Sequence, residues 1–190
     1  MMSAARNNPT VIPEILLVPD KRLRVRARPV SDADRAQLER LMPGMFEAMY
    51  RAPGIGLAAT QIGLGLRFFV MDLGPDQART PLLLINPVIT AASETLATRE
   101  EGCLSLPGHY AEVSRPARVT VGYEDLAGVK HRIEGEDLLA ACLQHEIDHL
   151  DGVLFIDYLT PLKRNILLRK YTKEQKEKAE AAPAARGARR

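Results

Sequence analysis

Two histidines four residues apart stand in the string Gln144-His145-Glu146-Ile147-Asp148-His149. On a helix, positions i and i+4 lie one above the other, so both imidazoles can reach one metal ion. Glu146, one residue round from the first, can take a proton from water at that ion. Leu138, Leu139, Ala140, Ala141, Leu143, Ile147 and Leu150 make the same stretch apolar on nearly every side, which implies burial. Two buried imidazoles and a carboxylate need partners, and a divalent cation supplies one for all three. The plainer alternative, a polar helix face with two surface histidines, fits that apolar surround poorly.

The third ligand decides the chemistry. A further histidine six residues beyond His149, as in one class of zinc peptidases, is excluded because Phe155 holds that position. A remote Glu would have to be Glu174 or Glu177, both in a strongly basic terminal stretch, which is a poor but open choice. Cys142 lies one turn before His145. An ion shared by the two histidines would sit near the level of residue 147, roughly 7.5 Å further along the axis and out of reach of a metal–sulfur bond of about 2.3 Å. Cys142 therefore reads as a small wall residue. Cys103 sits in the turn-rich run Glu101-Gly102-Cys103-Leu104-Ser105-Leu106-Pro107, which could present a thiolate and free backbone N–H groups. Alone it reads as a small buried hydrophobe; joined to the two histidines it becomes the favoured third donor.

The elements that must position these groups follow from periodicity. Residues 15–19 read as extended. Ser31, with Asp32 or Asp34, can cap a helix to about Arg51 with Leu38, Leu41, Met45 and Met49 on one stripe, although Pro43 predicts a kink or a later start. Strand-like runs follow at 67–73, 82–85 and 88–90, and 118–124 with 129–134 reads as a hairpin. Residues 137–150 form the apolar helix, stopped by Gly152, and an amphipathic stretch begins after Pro161. The segment Gly108-His109-Tyr110 reads as a loop with His109 exposed to solvent. Strands lying before and between helices indicate an α+β domain: antiparallel strands around a central metal-binding helix, with an N-terminal and a C-terminal helix.

Three separated motifs carry a resemblance. Gly54-Ile55-Gly56-Leu57-Ala58-Ala59-Thr60-Gln61, Glu101-Gly102-Cys103-Leu104-Ser105 and Gln144-His145-Glu146-Ile147-Asp148-His149 occur in the order and approximate spacing of bacterial peptide deformylases. Over roughly residues 15–170 the chain resembles that family, which removes the formyl group from the N-terminal formyl-methionine of nascent chains. The resemblance implies that Cys103, His145 and His149 bind one divalent ion, with Glu146 as general base and then acid. It also implies that Gln61 and the Leu104 backbone N–H form the oxyanion hole. A thiolate donor is consistent with Fe²⁺, with Zn²⁺, Ni²⁺ or Co²⁺ able to substitute. Glu101 and Arg115 are candidates for a pair that fixes the cysteine loop. Leu138, Ala141 and Cys142 precede His145 by seven, four and three residues, so they share its face and can wall a slot for a linear methionine side chain. Gly54 and Gly56 could let substrate backbone approach, the peptide adding as a strand along Ile55. A phosphate-binding reading of these glycines is weaker, since no Lys-Ser/Thr follows them.

Composition limits the remaining classes. The chain has 190 residues, 46% apolar and 26% charged, with two Cys and no Trp, as for one soluble globular domain without a disulfide framework. No apolar stretch approaches the roughly 18 residues of a membrane helix, and residues 1–8 do not resemble an export signal, so a cytoplasmic protein with neither membrane nor DNA as partner is expected. Charge is uneven. Residues 159–190 hold ten basic and three acidic side chains, about +7 on a body near −5. Residues 1–170 are read as the catalytic domain and 171–190 as a basic helix end with a disordered tail. The basic end suggests contact with ribosomal RNA near the exit tunnel; a solvated helix face is the plain alternative. A zinc peptidase using a remote Glu, and a non-catalytic RNA-binding protein, are the competing functional readings.

Overall fold

The run Phe68-Phe69-Val70-Met71 has no polar face, so it demands cover on both sides. The computed structural model, which describes residues 11–74 and 78–181, supplies that cover with two helices. Helix α1 (Asp32–Arg51) packs on one face and helix α2 (Asp137–Leu150) on the other. Between them lies a five-stranded antiparallel sheet. Its strands are β1 (Gly56–Ala58), β2 (Phe68–Met71), β3 (Leu82–Ala92), β6 (Arg118–Glu124) and β7 (Lys130–Glu136), in the order β1-β2-β3-β6-β7. Strands β4 (Leu96–Gly102) and β5 (Tyr110–Pro116) form a separate antiparallel pair, and α3 (Pro161–Ala181) closes the chain.

Alternation in β2 divides the core. Phe68 and Val70 join Leu38, Met45 and Met49 of α1, whereas Phe69 and Met71 join Ala140, Leu143, Ile147 and Leu150 of α2. A third cluster gathers Leu106, Val113, Phe155, Ile156 and Tyr171, and so ties the cysteine loop, β5 and α3 together. The predicted α+β architecture is therefore present, with α2 central. Asp34 Oδ2 accepts the Ser31 N–H at 2.8 Å and starts α1 at its expected cap. Pro43 lies inside α1, which runs unbroken through it.

Several local expectations are corrected. The runs at 82–85 and 88–90 are one strand, β3, with register shifts between Ile85 and Val88 and between Ile89 and Ala91, where Pro87 cannot donate to the ladder. The β4–β5 hairpin was not legible because its inner face interrupts Ala97, Ala111 and Val113 with Arg99, Glu101 and Arg115. His109 is buried, not exposed: its ring meets the Tyr171 ring edge-on at 5.4 Å, Nδ1 lies 3.1 Å from the Pro107 carbonyl oxygen, and Nε2 lies 3.6 Å from the Glu174 carboxylate. Helix α3 covers it, and no pattern local to residues 108–110 encodes that cover. Helix α3 is also continuous across residue 170, with Tyr171 fully buried. The expected tail lies largely in residues 182–190, outside the described residues, as does the N-terminal stretch 1–8.

Helix α2 ends where expected. Gly152 has φ +76° and an added Cβ would lie 2.6 Å from the Arg24 carbonyl oxygen. Gly152→Ala is expected to cost about 1–3 kcal/mol in urea unfolding; a change within about 0.3 kcal/mol would mean that the turn relaxes freely.

Candidate metal centre

Helix α2 presents His145 and His149 to the same side, as their spacing requires, and the turn after β4 brings Cys103 to them. Cys103 Sγ lies 3.1 Å from His149 Nε2, which lies 3.2 Å from His145 Nε2, and all three donor atoms fall within 4.8 Å of one another. Tetrahedral bonds of about 2.0–2.3 Å to one ion would separate such atoms by roughly 3.3–3.6 Å, near two of the separations here and inside the 4.8 Å bound on the third, so the donor set can gather on a single divalent cation. The surroundings favour positive charge. Burial opposes a charged His145 ring, but its contacts with Cys103 and Glu101 outweigh that and raise its proton affinity. Burial holds His149 neutral, the form a metal needs. Glu174 and Glu177 lie elsewhere: the first is beside His109 and Lys170, the second beside Lys173.

Glu146 is buried beside these donors. Burial pushes its carboxyl up to about 7, and its Oε2 has no hydrogen-bond partner among the described residues. Its other oxygen packs on the backbone of Gly56, where an added Cβ would lie only 2.3 Å from Oε1. Gly56 therefore makes room for the carboxylate, a role its motif does not announce. The Gln61 side chain is fixed at both ends: Oε1 accepts the Ala58 N–H at 2.9 Å, and Nε2 donates to Ser105 Oγ at 3.1 Å while facing Cys103 Sγ at 3.5 Å. The Leu104 N–H donates to no protein group among the described residues. An amide NH₂ and a free backbone N–H beside a metal donor set can meet an oxygen that gains negative charge.

A cleft of about 480 Å³ opens onto this centre. Ile55, Leu138, Ala141 and Cys142 wall it, together with Gly54 and Gly56 of the β1 segment. Strand β1 is an edge of its sheet, paired only with β2, so its outer side is free to receive an extended chain. Burial raises the Cys142 thiol well above its usual range, which keeps it neutral and suits a wall instead of a ligand. Tyr110 and Arg99 also line the cleft, and Arg99 was not anticipated.

Behind the donors runs a charged chain. Glu101 Oε2 lies 3.1 Å from His145 Nδ1, and Arg115 grips the same carboxylate at 2.5 and 3.0 Å. Burial pushes the Glu101 carboxyl up, but hydrogen bonds with His145 and Arg115 outweigh it and hold the group below its usual range. Arg115 reaches on to Asp148 at 2.7 Å, which also accepts the Tyr158 hydroxyl at 2.9 Å. The Glu101–Arg115 pair was legible as a candidate. Asp148, Tyr158 and Ser105 were missed, though an Asp set between the two histidines of a buried helix is a signal that could have drawn attention to Asp148.

The chain matches the family model described as "Polypeptide deformylase" over residues 12–165. A curated relative from Rhizobium meliloti (strain 1021), named peptide deformylase, is 49% identical over 172 residues, spanning 90% of this chain and 98% of that one. Another of that name, from Methylocella silvestris, is 52% identical over 166 residues, 85% of this chain and 84% of the other. Among solved structures, a peptide deformylase from Legionella pneumophila superposes with a TM-score of 0.83 at 46% identity, covering 89% of this chain and 98% of that one. One from Synechococcus elongatus, in complex with actinonin, gives 0.79 at 42% identity over 84% and 88% of the two chains.

Because Arg115 satisfies two carboxylates from inside the protein, Arg115→Met is expected to cost the metal-loaded protein about 3–5 kcal/mol in denaturant unfolding. A loss below about 1 kcal/mol would show that Glu101 and Asp148 find other partners.

Proposed function

The chain belongs to the peptide deformylase family, and on that premise we propose that Cys103, His145 and His149 hold its divalent ion while Glu146 moves the protons of the reaction. The enzyme removes the formyl group from the N-terminus of nascent polypeptides and releases formate. The convergence of one sulfur and two imidazole nitrogens beside a buried carboxylate is the observation that carries the residue assignment.

A divalent ion held by Cys103, His145 and His149 would supply Lewis acidity toward the formyl group and water. Every other part of the reaction falls to the chain. Glu146 accepts a proton from the attacking water as oxygen bonds to the formyl carbon. The Gln61 amide and the Leu104 N–H then face the oxygen on which charge collects, each donor being worth about 3–4 kcal/mol. As the carbon–nitrogen bond breaks, Glu146 returns its proton to the departing amine, which leaves as a free N-terminus. A carboxyl whose burial sets it near neutrality suits both directions of transfer. Ile55, Leu138, Ala141 and Cys142 receive the first side chain, a linear methionine, while Gly54, Ile55 and Gly56 offer backbone to the peptide. Glu101 and Arg115 orient His145. Fe²⁺ is our choice of working ion, with which the thiolate donor is consistent, and Zn²⁺, Ni²⁺ or Co²⁺ can substitute.

In anaerobically prepared, iron-loaded protein, Glu146→Gln is expected to keep its metal and lose about 10²–10⁴-fold in kcat/KM for formate release from a formyl-Met peptide. Retention of near-full activity would remove Glu146 from this role.

We place the site of action in the cytoplasm, where nascent chains emerge, and assign the basic C-terminal helix end, beyond the catalytic unit of residues 1–170, to ribosome contact. Arg169, Lys173 and Lys176 are exposed on one face of α3 beside Asn165 and Thr172, a surface suited to rRNA phosphates. Since Tyr171 is buried, removing the helix would disturb the third core cluster, and reversing charges is the cleaner test. Arg169→Glu with Lys173→Glu and Lys176→Glu is expected to reduce cosedimentation with ribosomes, most visibly at low salt. Unaltered cosedimentation would count against the assignment.

A further inference from the structure

Residues 52–56 run from the end of α1 into β1, and all five line the cleft. One residue, just past the end of β2 and outside the cleft lining, holds both ends of this segment. At its start, Tyr50 in the last turn of α1 donates its hydroxyl proton to Asp72 Oδ2 at 2.6 Å. At its far end, the Asp72 N–H donates to the Ile55 carbonyl oxygen at 2.9 Å, one residue beyond the Gly56–Met71 pair of the β1–β2 ladder. Backbone hydrogen-bonding groups of successive strand residues point to opposite sides. Ile55, turned inward to Asp72, therefore leaves the backbone groups of Gly56 on the open edge of the sheet.

Asp72 is itself held firmly. Its carboxylate is buried, and Oδ1 accepts the Gly74 N–H at 2.9 Å and the Thr80 N–H at 3.0 Å. Burial pushes this carboxyl up, but bonds from Tyr50, Thr80 and Gly74 outweigh it and hold the group below its usual range. The Arg79 guanidinium lies 3.9 Å from the centre of the Tyr50 ring, which sets a cation near the buried carboxylate. The bonds to Gly74 and Thr80 suffice to anchor the loop after β2. The other two reach back to bracket the cleft wall.

We propose that Asp72 and Tyr50 are positioning residues for the substrate, holding residues 52–56 where the open edge of β1 can pair with the backbone of an extended formylated peptide. The inference rests on the deformylase reading, which puts that peptide in the cleft. Cys103, His145, His149 and Glu146 stand on other elements, the turn after β4 and α2. Loosening the bracket therefore acts on binding of the chain beyond formyl-methionine more than on the chemical step.

The test uses metal-loaded wild type, Tyr50→Phe, Asp72→Asn and, as a control, Gly152→Ala, which strains a turn outside the cleft. Formate release is measured from formyl-methioninamide and from a formyl-Met tetrapeptide, and binding of the deformylated tetrapeptide by calorimetry. In Tyr50→Phe and Asp72→Asn the tetrapeptide KM and the product Kd are expected to rise roughly three- to tenfold, the scale of one net hydrogen bond, with kcat within about twofold. Formyl-methioninamide is expected to change less, so the advantage of the longer substrate shrinks, whereas Gly152→Ala keeps the wild-type ratio of the two. A ratio equal to wild type in Tyr50→Phe, or a fall in kcat at unchanged KM, would overturn the proposal. So would a control that shifts the ratio as far, since loosening of the fold alone would then account for it. If Asp72→Asn does not fold, Tyr50→Phe decides, because it removes one hydroxyl and keeps the ring. Wild type that releases no formate from either substrate would instead strike the deformylase reading.

Discussion

A sulfur and a ring nitrogen, each brought to within 3.2 Å of a second ring nitrogen in a largely buried site, impose the central constraint on this molecule. Lone pairs so close together repel unless a proton or cation lies between them, and removal from water strengthens both the repulsion and its relief. Much of the surrounding structure serves to hold that arrangement. The sheet and α2 bury their apolar faces in each other, which fixes the two histidines, and the third core cluster fixes the cysteine loop from the opposite side. The first cluster contributes no ligand atom and the third holds Cys103 at its edge, so each sets the position of one side of the donor triangle.

Charge is arranged in layers around the same point. The carboxylate of Glu101 turns the His145 ring, Arg115 neutralises that carboxylate, and Asp148 and Tyr158 complete the chain toward the surface. Each buried ion is satisfied by the next, as interior charges require. Glu146 is the exception. It has burial without a cationic partner, and one of its oxygens is left without a hydrogen bond among the described residues. A structural carboxylate would be a liability in that state, whereas a group that must bind and release a proton in each turnover needs it.

Helix α3 joins this centre to the outside. Its inner side is anchored by Tyr171, its neighbour Glu174 approaches His109, and His109 lies in the segment that rims the substrate cleft. The same helix therefore fixes the segment beside the cleft through its buried side while it carries Arg169, Lys173 and Lys176 exposed to the outside.

Much of this was legible in the residues alone. The four-residue spacing of His145 and His149 sets their common face on any helix, and the apolar surround of that helix implies its burial. The three motifs together pointed to the family, and the reach of a metal–sulfur bond excluded Cys142. Local pattern could not reveal the β4–β5 hairpin, whose inward side mixes Ala97, Ala111 and Val113 with the charged Glu101 and Arg115, because charge is tolerated inside only when distant partners such as Asp148 meet it. Nor could it bury His109, whose cover arrives some sixty residues later in the chain. Spacing along one helix is fixed by covalent geometry, so the sequence alone determined the histidine pair. Contacts between elements depend on how separate surfaces fit, so the tertiary structure alone decided how closely Cys103 approaches the pair, which glycine clears space for the carboxylate, and which helix covers His109.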